Sequence, residues 1–296
     1  MSDAQRDAAR LRVGLVQMRS GIAMEPSIAA AEESVRRAAG EGAALIVTPE
    51  ATHLVQRDDE AMVAAVLAPE DDPAIPRFAS LAKELGVWLV IGSLMIKRGD
   101  GRAANRTHVF SPEGALAAVY DKIHLFDVKL GFGEGYRESK RVQPGERAVL
   151  CPTPWGGLGL TICYDVRFAY LYRALAQAGA RLITVPAAFT KPTGEAHWET
   201  LLRARAIETG CFVLAAAQGG YHEDGRTTWG RSTVVGPWGD VVAKLDHAEP
   251  DVLIADLDLA AVDKARARIP ALTHDRTFDP PEPLTPPLKS DEVGGA

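Results

Sequence analysis

Cysteine is scarce in this chain: Cys151, Cys163 and Cys211 are the only three among 296 residues. They are too few and too scattered for a disulfide framework or a zinc site, so no metal is expected. Unpaired thiols suit a reducing cytoplasm, and that is the expected compartment. No basic run occurs, and the net charge is −6. Nucleic acid, which requires a concentrated basic face, is therefore not an expected partner. No window is long and apolar enough to span a bilayer, so no membrane association is expected. Met1 to Arg12 is polar and charged and lacks the apolar stretch of a signal peptide. Tandem repeats and a clear linker are missing too. We expect one domain over residues 12–276, between a flexible N-terminal tail (1–11) and a Pro-rich C-terminal tail (277–296). Residues 279–287 of that tail hold five prolines.

Hydrophobic residues are plentiful, at 47% of the chain. A chain of this length can bury a sizeable core without staples. Short, wholly apolar runs punctuate it: Leu11 to Met18, Ala43 to Val47, Val87 to Gly92, Arg181 to Val185, Cys211 to Ala217 and Val252 to Leu257. Between them lie helix-like stretches at Glu25 to Ala39, Ile75 to Leu85, Tyr170 to Ala178, Trp198 to Thr209 and Leu259 to Ile269. Strands without polar alternation are buried on both faces, so helices should cover the sheet. Arg106 to Phe110 with Ala115 to Tyr120, and Thr233 to Val235 with Val241 to Ala243, read as hairpins. The fold class is therefore α/β with mixed sheets. Lys122 to Gly145 reads as one long irregular segment, of the kind that usually carries function.

Gly157 to Phe168 (GLGLTICYDVRF) is an apolar strand that stops at Cys163 and gives way to a helix. Such a turn exposes a nucleophile at the sheet edge with backbone N–H groups facing the substrate. A lone cysteine is more often a buried structural residue, so its surroundings must decide. A thiol needs a base or a cation to become a good nucleophile. Of the histidines (53, 108, 124, 197, 222, 247 and 274), only His124 and His197 lie in motif-like surroundings, and neither forms a local Cys–His signature. Glu50 follows a buried strand, where desolvation would raise its pKa and suit it to base work. Lys122 follows another strand, and its ammonium would stabilise a thiolate or an oxyanion. Glu50, Lys122 and Cys163 each fall at the carboxyl end of a strand, where sheet-based sites assemble.

Thr48-Pro49-Glu50, Asp121 to Asp127 (DKIHLFD) and Cys163 to Phe168 (CYDVRF) are similar, in order, to the three signatures of the nitrilase superfamily, the carbon–nitrogen hydrolases. The resemblance extends through Tyr136 to Ser139, Ala196 to Glu199 and Gly236 to Gly239, and spans roughly Arg12 to Arg276. It implies a four-layer αββα sandwich that pairs as a homodimer or higher homo-oligomer, with no cofactor. It implies a triad of Glu50 as base, Lys122 as stabiliser of the tetrahedral intermediate and Cys163 as nucleophile. It also implies a second glutamate, Glu138 or its competitor Glu134, holding Lys122. The backbone of Tyr164 would help form the oxyanion site, and Phe126, Phe189 and Thr190 would line the pocket. Asp127 and Arg167 are expected to be structural, as an ion pair or hydrogen-bonding groups. His124 is expected to support the site rather than act as base, and His197 and Trp198 to open a helix. Cys151 and Cys211 are expected to be inert. Tyr170, Leu171, Tyr172 and Leu175 would face a twin subunit.

Leu202 to Thr209 and Ala215 to Gln218 resemble the branch of deaminated-glutathione amidases, so a small anionic amide is the expected substrate. ω-Amidase action on 2-oxoglutaramate is the alternative, followed by an N-carbamoyl amino acid hydrolase or a nitrilase. Arg203, Arg205, Arg231 and Lys191 are candidates for the substrate carboxylate. Ala169-Tyr170, Arg231, Gly236 and the segment Lys129 to Glu134 depart from the family pattern. These departures bear on the substrate rather than on the triad. A non-catalytic binding module is the competing class, since fold does not fix function.

Overall fold

The structure, a computed structural model, describes residues 10–131 and 134–283, the side chain of Glu134 excepted. The first half of the chain runs β1 (Arg10–Gln17), α1 (Met24–Gly40), β2 (Leu45–Val47), α2 (Asp59–Ala65), α3 (Ala74–Leu85), β3 (Trp88–Lys97), β4 (Ala103–Phe110) and β5 (Leu116–Asp121). A hairpin of β6 (Asp127–Gly131) and β7 (Glu134–Arg137) follows. The second half runs β8 (Val149–Thr153), β9 (Gly156–Leu160), α4 (Ala169–Gln177), β10 (Ala180–Thr184), α5 (Lys191–Thr209), β11 (Phe212–Ala215), β12 (Gly219–Tyr221), β13 (Thr227–Trp229), β14 (Thr233–Val235), β15 (Val241–Lys244), β16 (Asp251–Asp258) and α6 (Ala260–Arg268).

Two six-stranded sheets result, in the orders β16-β1-β2-β3-β4-β5 and β15-β14-β11-β10-β9-β8. Each has three parallel strands at its centre, β1-β2-β3 or β9-β10-β11, with antiparallel neighbours outside. Side chains alternate across a strand, and the first sheet uses both faces. Leu11, Val13, Leu15, Leu45, Val47 and Val90 join the core shared with the second sheet. Val16, Ile46, Leu89 and Ile91 join a second core with Ile28 and Val35 of α1 and Phe78 and Leu81 of α3. On the far side, Leu171 and Tyr172 of α4 and Trp198 and Leu202 of α5 pack in the core built on the second sheet. The layers are thus helix, sheet, sheet, helix, the sandwich implied by the family resemblance.

Several boundaries differ from the sequence reading. β1 starts at Arg10, inside the stretch read as tail, because Arg10 and Leu11 pair with Asp258 and Leu257. The segment from Lys122 to Gly145 is not wholly irregular: it holds the β6–β7 hairpin, whose strands are only five and four residues long, with just Val128 and Leu130 of β6 alternating with polar residues. α5 begins at Lys191, so His197 and Trp198 lie within it rather than open it; Pro192 suits the first turn, where its missing N–H costs nothing. Of the four residues expected to face a twin subunit, Leu171, Tyr172 and Leu175 face the chain's own core and only Tyr170 is exposed. Residues 1–9 and 284–296 of the two tails lie outside the described residues.

Candidate active site

Cys163 sits directly past β9, with its N–H donating to the Pro186 carbonyl at 2.9 Å. Its φ is +49°, a left-handed conformation that costs a side-chain-bearing residue energy and recurs at functional turns. The turn is pinned by Asp165, which is fully buried. Asp165 accepts from the Ile162 N–H at 2.8 Å, the Tyr120 hydroxyl at 2.7 Å and the His124 N–H at 3.0 Å. His124 Nδ1 also meets it at 2.7 Å, so His124 supports the turn. One carboxylate thereby ties the cysteine turn to the segment that carries Lys122.

Glu50 lies on the turn after β2. Ala51, next to it, also has a positive φ of +56°. Thr48 and Thr52 bond each other across this turn at 2.7 Å, and Ser93 accepts the Ala51 N–H at 2.8 Å. Gln218, fully buried, donates to the Glu50 carbonyl at 3.0 Å. Gly92 lies beneath, where a Cβ would stand 2.1 Å from the Thr48 carbonyl oxygen and 2.5 Å from that of Pro49. Only glycine lets the strand pass so close.

The side chains then converge. Lys122 Nζ donates to Glu50 Oε1 at 2.8 Å and to Glu138 Oε2 at 2.9 Å, at 2% exposure. Asn105 Nδ2 donates to Glu50 Oε1 at 2.8 Å and to Glu138 Oε1 at 3.0 Å. The Ala188 N–H donates to Glu50 Oε2 at 2.8 Å and the Phe126 N–H to Glu138 Oε2 at 2.7 Å. Cys163 lies near enough to Glu50 and Lys122 for both charges to act on its thiol. Glu50, Lys122, Cys163 and Glu138 therefore meet at one point, and the side chain of Glu134 lies outside the described residues. All four, with Asn105, Phe126, Tyr164, Phe189 and Thr190, line a single cavity of about 660 Å³.

Electrostatics at this point depart from the expectation. Burial does push Glu50 up, but the Lys122 ammonium and hydrogen bonds from Lys122, Cys163 and Asn105 outweigh it, and the carboxyl sits below its usual range. Burial works to lower Lys122, yet the charges of Glu138 and Glu50 hold it well above the ordinary lysine value. Burial and the neighbouring Glu50 charge push the Cys163 thiol well up, against the pull of Lys122. The resting arrangement is thus carboxylate, ammonium and neutral thiol.

Other expectations are redistributed. None of Arg203, Arg205, Arg231 and Lys191 lines the cavity. Arg203 donates to Gly239 O, Arg205 to Val166 O and Glu208, and Arg231 stacks on Trp229 at 3.9 Å. Asp127 accepts from Ser139, and Arg167 meets His197 and lies over the rings of Tyr164 and Phe189; the two do not pair with each other. Asn105 and Gln218 were missed. Asn105 offered a signal: an asparagine inside an otherwise strand-like run is unusual unless its amide has work to do.

Residues 12–267 match the family model described as Carbon-nitrogen hydrolase. The deaminated glutathione amidase of Yersinia enterocolitica is 40% identical over 270 residues, 89% of this chain and 92% of that protein. Among solved structures, the C. elegans NitFhit protein superposes with a TM-score of 0.84 at 36% identity, covering 90% of this chain and 65% of that one. A mutant amidase from Nesterenkonia sp. AN1, with acrylamide added at its active-site cysteine, gives a TM-score of 0.74 at 29% identity, covering 88% of this chain and 98% of that one.

Proposed function

The chain belongs to the carbon–nitrogen hydrolase family, and from that premise we propose that it hydrolyses a small anionic amide, deaminated glutathione, through a thioester on Cys163. One observation carries the reading: Lys122 Nζ lies 2.8 Å from Glu50 and 2.9 Å from Glu138, and Cys163 stands beside them on the wall of one cavity.

Because the thiol is neutral at rest, deprotonation accompanies attack. Sulfur adds to the amide carbonyl carbon as Glu50 takes its proton. The oxyanion is held by the Lys122 ammonium and the backbone N–H of Tyr164. The tetrahedral intermediate collapses, the C–N bond breaks, and Glu50 gives the proton to the leaving nitrogen. Water then attacks the thioester, with Glu50 taking its proton. The C–S bond breaks and that proton returns to sulfur. Glu138 and Asn105 keep Lys122 and Glu50 in place throughout, and Phe126, Phe189 and Thr190 shape the pocket.

An anionic substrate fits the cavity wall, which carries seven cationic side chains against four carboxylates although the chain as a whole has a net charge of −6. 2-Oxoglutaramate is the second reading, because it carries the same acyl half. The test compares kcat/KM on deaminated glutathione, 2-oxoglutaramate, an N-carbamoyl amino acid and an aliphatic nitrile. The first should lead; turnover of only the last two would overturn the assignment. A binding module without turnover predicts that iodoacetamide has no activity to remove.

We also place residues 10–276 as the hydrolase unit, since Arg10 and Leu11 belong to β1, with residues 1–9 and 277–296 dispensable for turnover. Asp275 is tied back to α4 by Arg173 and Gln177. A homodimer would use the exposed Trp238, Ile207 and Ile269 rather than the inner face of α4. Light scattering on Trp238→Glu would report loss of the dimer. Among the described residues no helix is long and apolar enough to cross a membrane. The three buried thiols, none of them in a disulfide, agree with a reducing cytoplasm.

A further inference from the structure

The cavity has a deep end and an open end, and burial separates them. Glu50, Lys122 and Cys163 are buried, whereas Arg57, Lys129 and Arg137, on the same wall, are exposed. These three cations come from two elements. Arg57 lies on the strap between Glu50 and α2. Lys129 and Arg137 lie on the β6–β7 hairpin, where Lys129 faces Gly135 and Arg137 faces Asp127, two register steps apart and hence on one face. The two elements are joined at the mouth: Arg141, just past the hairpin, donates to the Arg57 carbonyl at 3.2 Å and to Asp59 at 2.7 Å.

Their charges are not fully balanced among the described residues. Among the described residues, the side chains of Arg57 and Lys129 have no hydrogen-bond or ion-pair partner. Arg137 is partly balanced by Asp127, whose two oxygens also accept from Ser139 at 3.0 Å and 2.6 Å. Asp127 opposite Arg137 balances part of this charge, and the excess of like charge on the rim is an arrangement that a bound anion relieves. The volume points the same way. At about 30 Å³ per water, 660 Å³ corresponds to about twenty water-sized groups. That is roughly the number of non-hydrogen atoms in a tripeptide-length acid and about twice that of a five-carbon amide.

We propose that Arg57, Lys129 and Arg137 form a second anion subsite at the cavity mouth. It takes a carboxylate on the leaving-group side of the scissile bond and selects elongated amides bearing an acid at that end. The inference rests on the amidase reading of the cavity and deepens it. The acyl half reacts at the floor, while the amine half, with its terminal carboxylate, is held at the rim until the C–N bond breaks.

The experiment compares deaminated glutathione with its C-terminal carboxamide, which differs only at that carboxylate. In the wild type, kcat/KM for the acid should exceed that for the carboxamide by about tenfold, the worth of one charge-assisted contact. In the double variant Arg57→Gln/Arg137→Gln the ratio should fall to about one, and raising the salt should shrink the wild-type ratio. A wild-type ratio near one, or a double variant that keeps the wild-type ratio, overturns the subsite while leaving the amidase reading intact. If the wild type cleaves neither compound, the amidase reading is what fails, and calorimetry then decides the subsite by itself. N-acetylcysteinylglycine, which has the carboxylate but an acetyl in place of the 2-oxoglutaryl acyl half, should bind Cys163→Ala about tenfold more tightly than its carboxamide. That difference should vanish when the two rim arginines are also replaced. Equal binding, or none, overturns the proposal.

Discussion

The floor and the rim of the cavity are built on opposite principles. At the floor, Lys122, Glu50, Glu138 and Asn105 hold each other through short hydrogen bonds, and backbone N–H groups of Ala188 and Phe126 complete the two carboxylates. At the rim, the side chains of Arg57 and Lys129 hold no partner among the described residues. A group that must stabilise developing charge works best when its geometry is set before the substrate arrives. A group that must recognise a substrate needs open hydrogen-bonding capacity. The floor is therefore suited to one chemistry, and the rim is where a change of substrate costs least.

The comparison can be broken most sharply at the sulfur. Cys163→Ala should lower kcat by about four to six orders of magnitude, as nucleophile removal does, yet leave substrate binding by calorimetry near the wild-type value. A comparable loss of binding would mean that floor and rim are not separable. Next comes Asn105→Leu, expected to lower kcat about a hundredfold, the scale of one lost donor at a preorganised site. It should also move the acid limb of the pH profile upward, because Glu50 loses one of the bonds that hold it down. An unmoved limb would mean that Asn105 only fills space.

The wild-type profile sharpens the same point. Glu50 must be ionised and lies below its usual range, so kcat/KM should fall only as pH drops through that lowered value. Lys122 and Cys163 are both held up, so no alkaline decline should appear through the ordinary cysteine range. A flat top from about pH 6 to 9 is expected, and a bell centred near neutrality would contradict the protonation states assigned here. Smallest is Gly92→Ala, where the added carbon meets two carbonyl oxygens. Overpacking of this kind costs about 1–3 kcal/mol, readable as a lower melting temperature, and it should reduce kcat by tilting the Glu50 turn.

Legibility in the sequence followed the same division. Glu50, Lys122 and Cys163 stand at strand ends inside motifs whose spacing is constrained by the chemistry, and the apolar strands around them announce themselves by burial on both faces. Asn105 was hidden because the strand was read as starting at Arg106, one residue too late. Gln218 acts through its contact with the Glu50 turn, 168 positions away in the chain, which no local pattern reveals. The β6–β7 hairpin escaped because the alternation of Val128 and Leu130 is too brief to mark a strand, and only the fold shows what such a short stretch packs against. The wrong cations were favoured for the same reason: Arg205 looks available in sequence, yet α5 turns it inward to the Val166 carbonyl.

The topology has one more consequence. The base is mounted on the first sheet and the sulfur on the second, and the first sheet is completed only when β16, near the end of the chain, pairs with β1 at its start. A nascent polypeptide still leaving the ribosome thus holds a thiol with no assembled partner. Hydrolytic competence should switch on late and all at once, which makes turnover a reporter of complete folding rather than of any half.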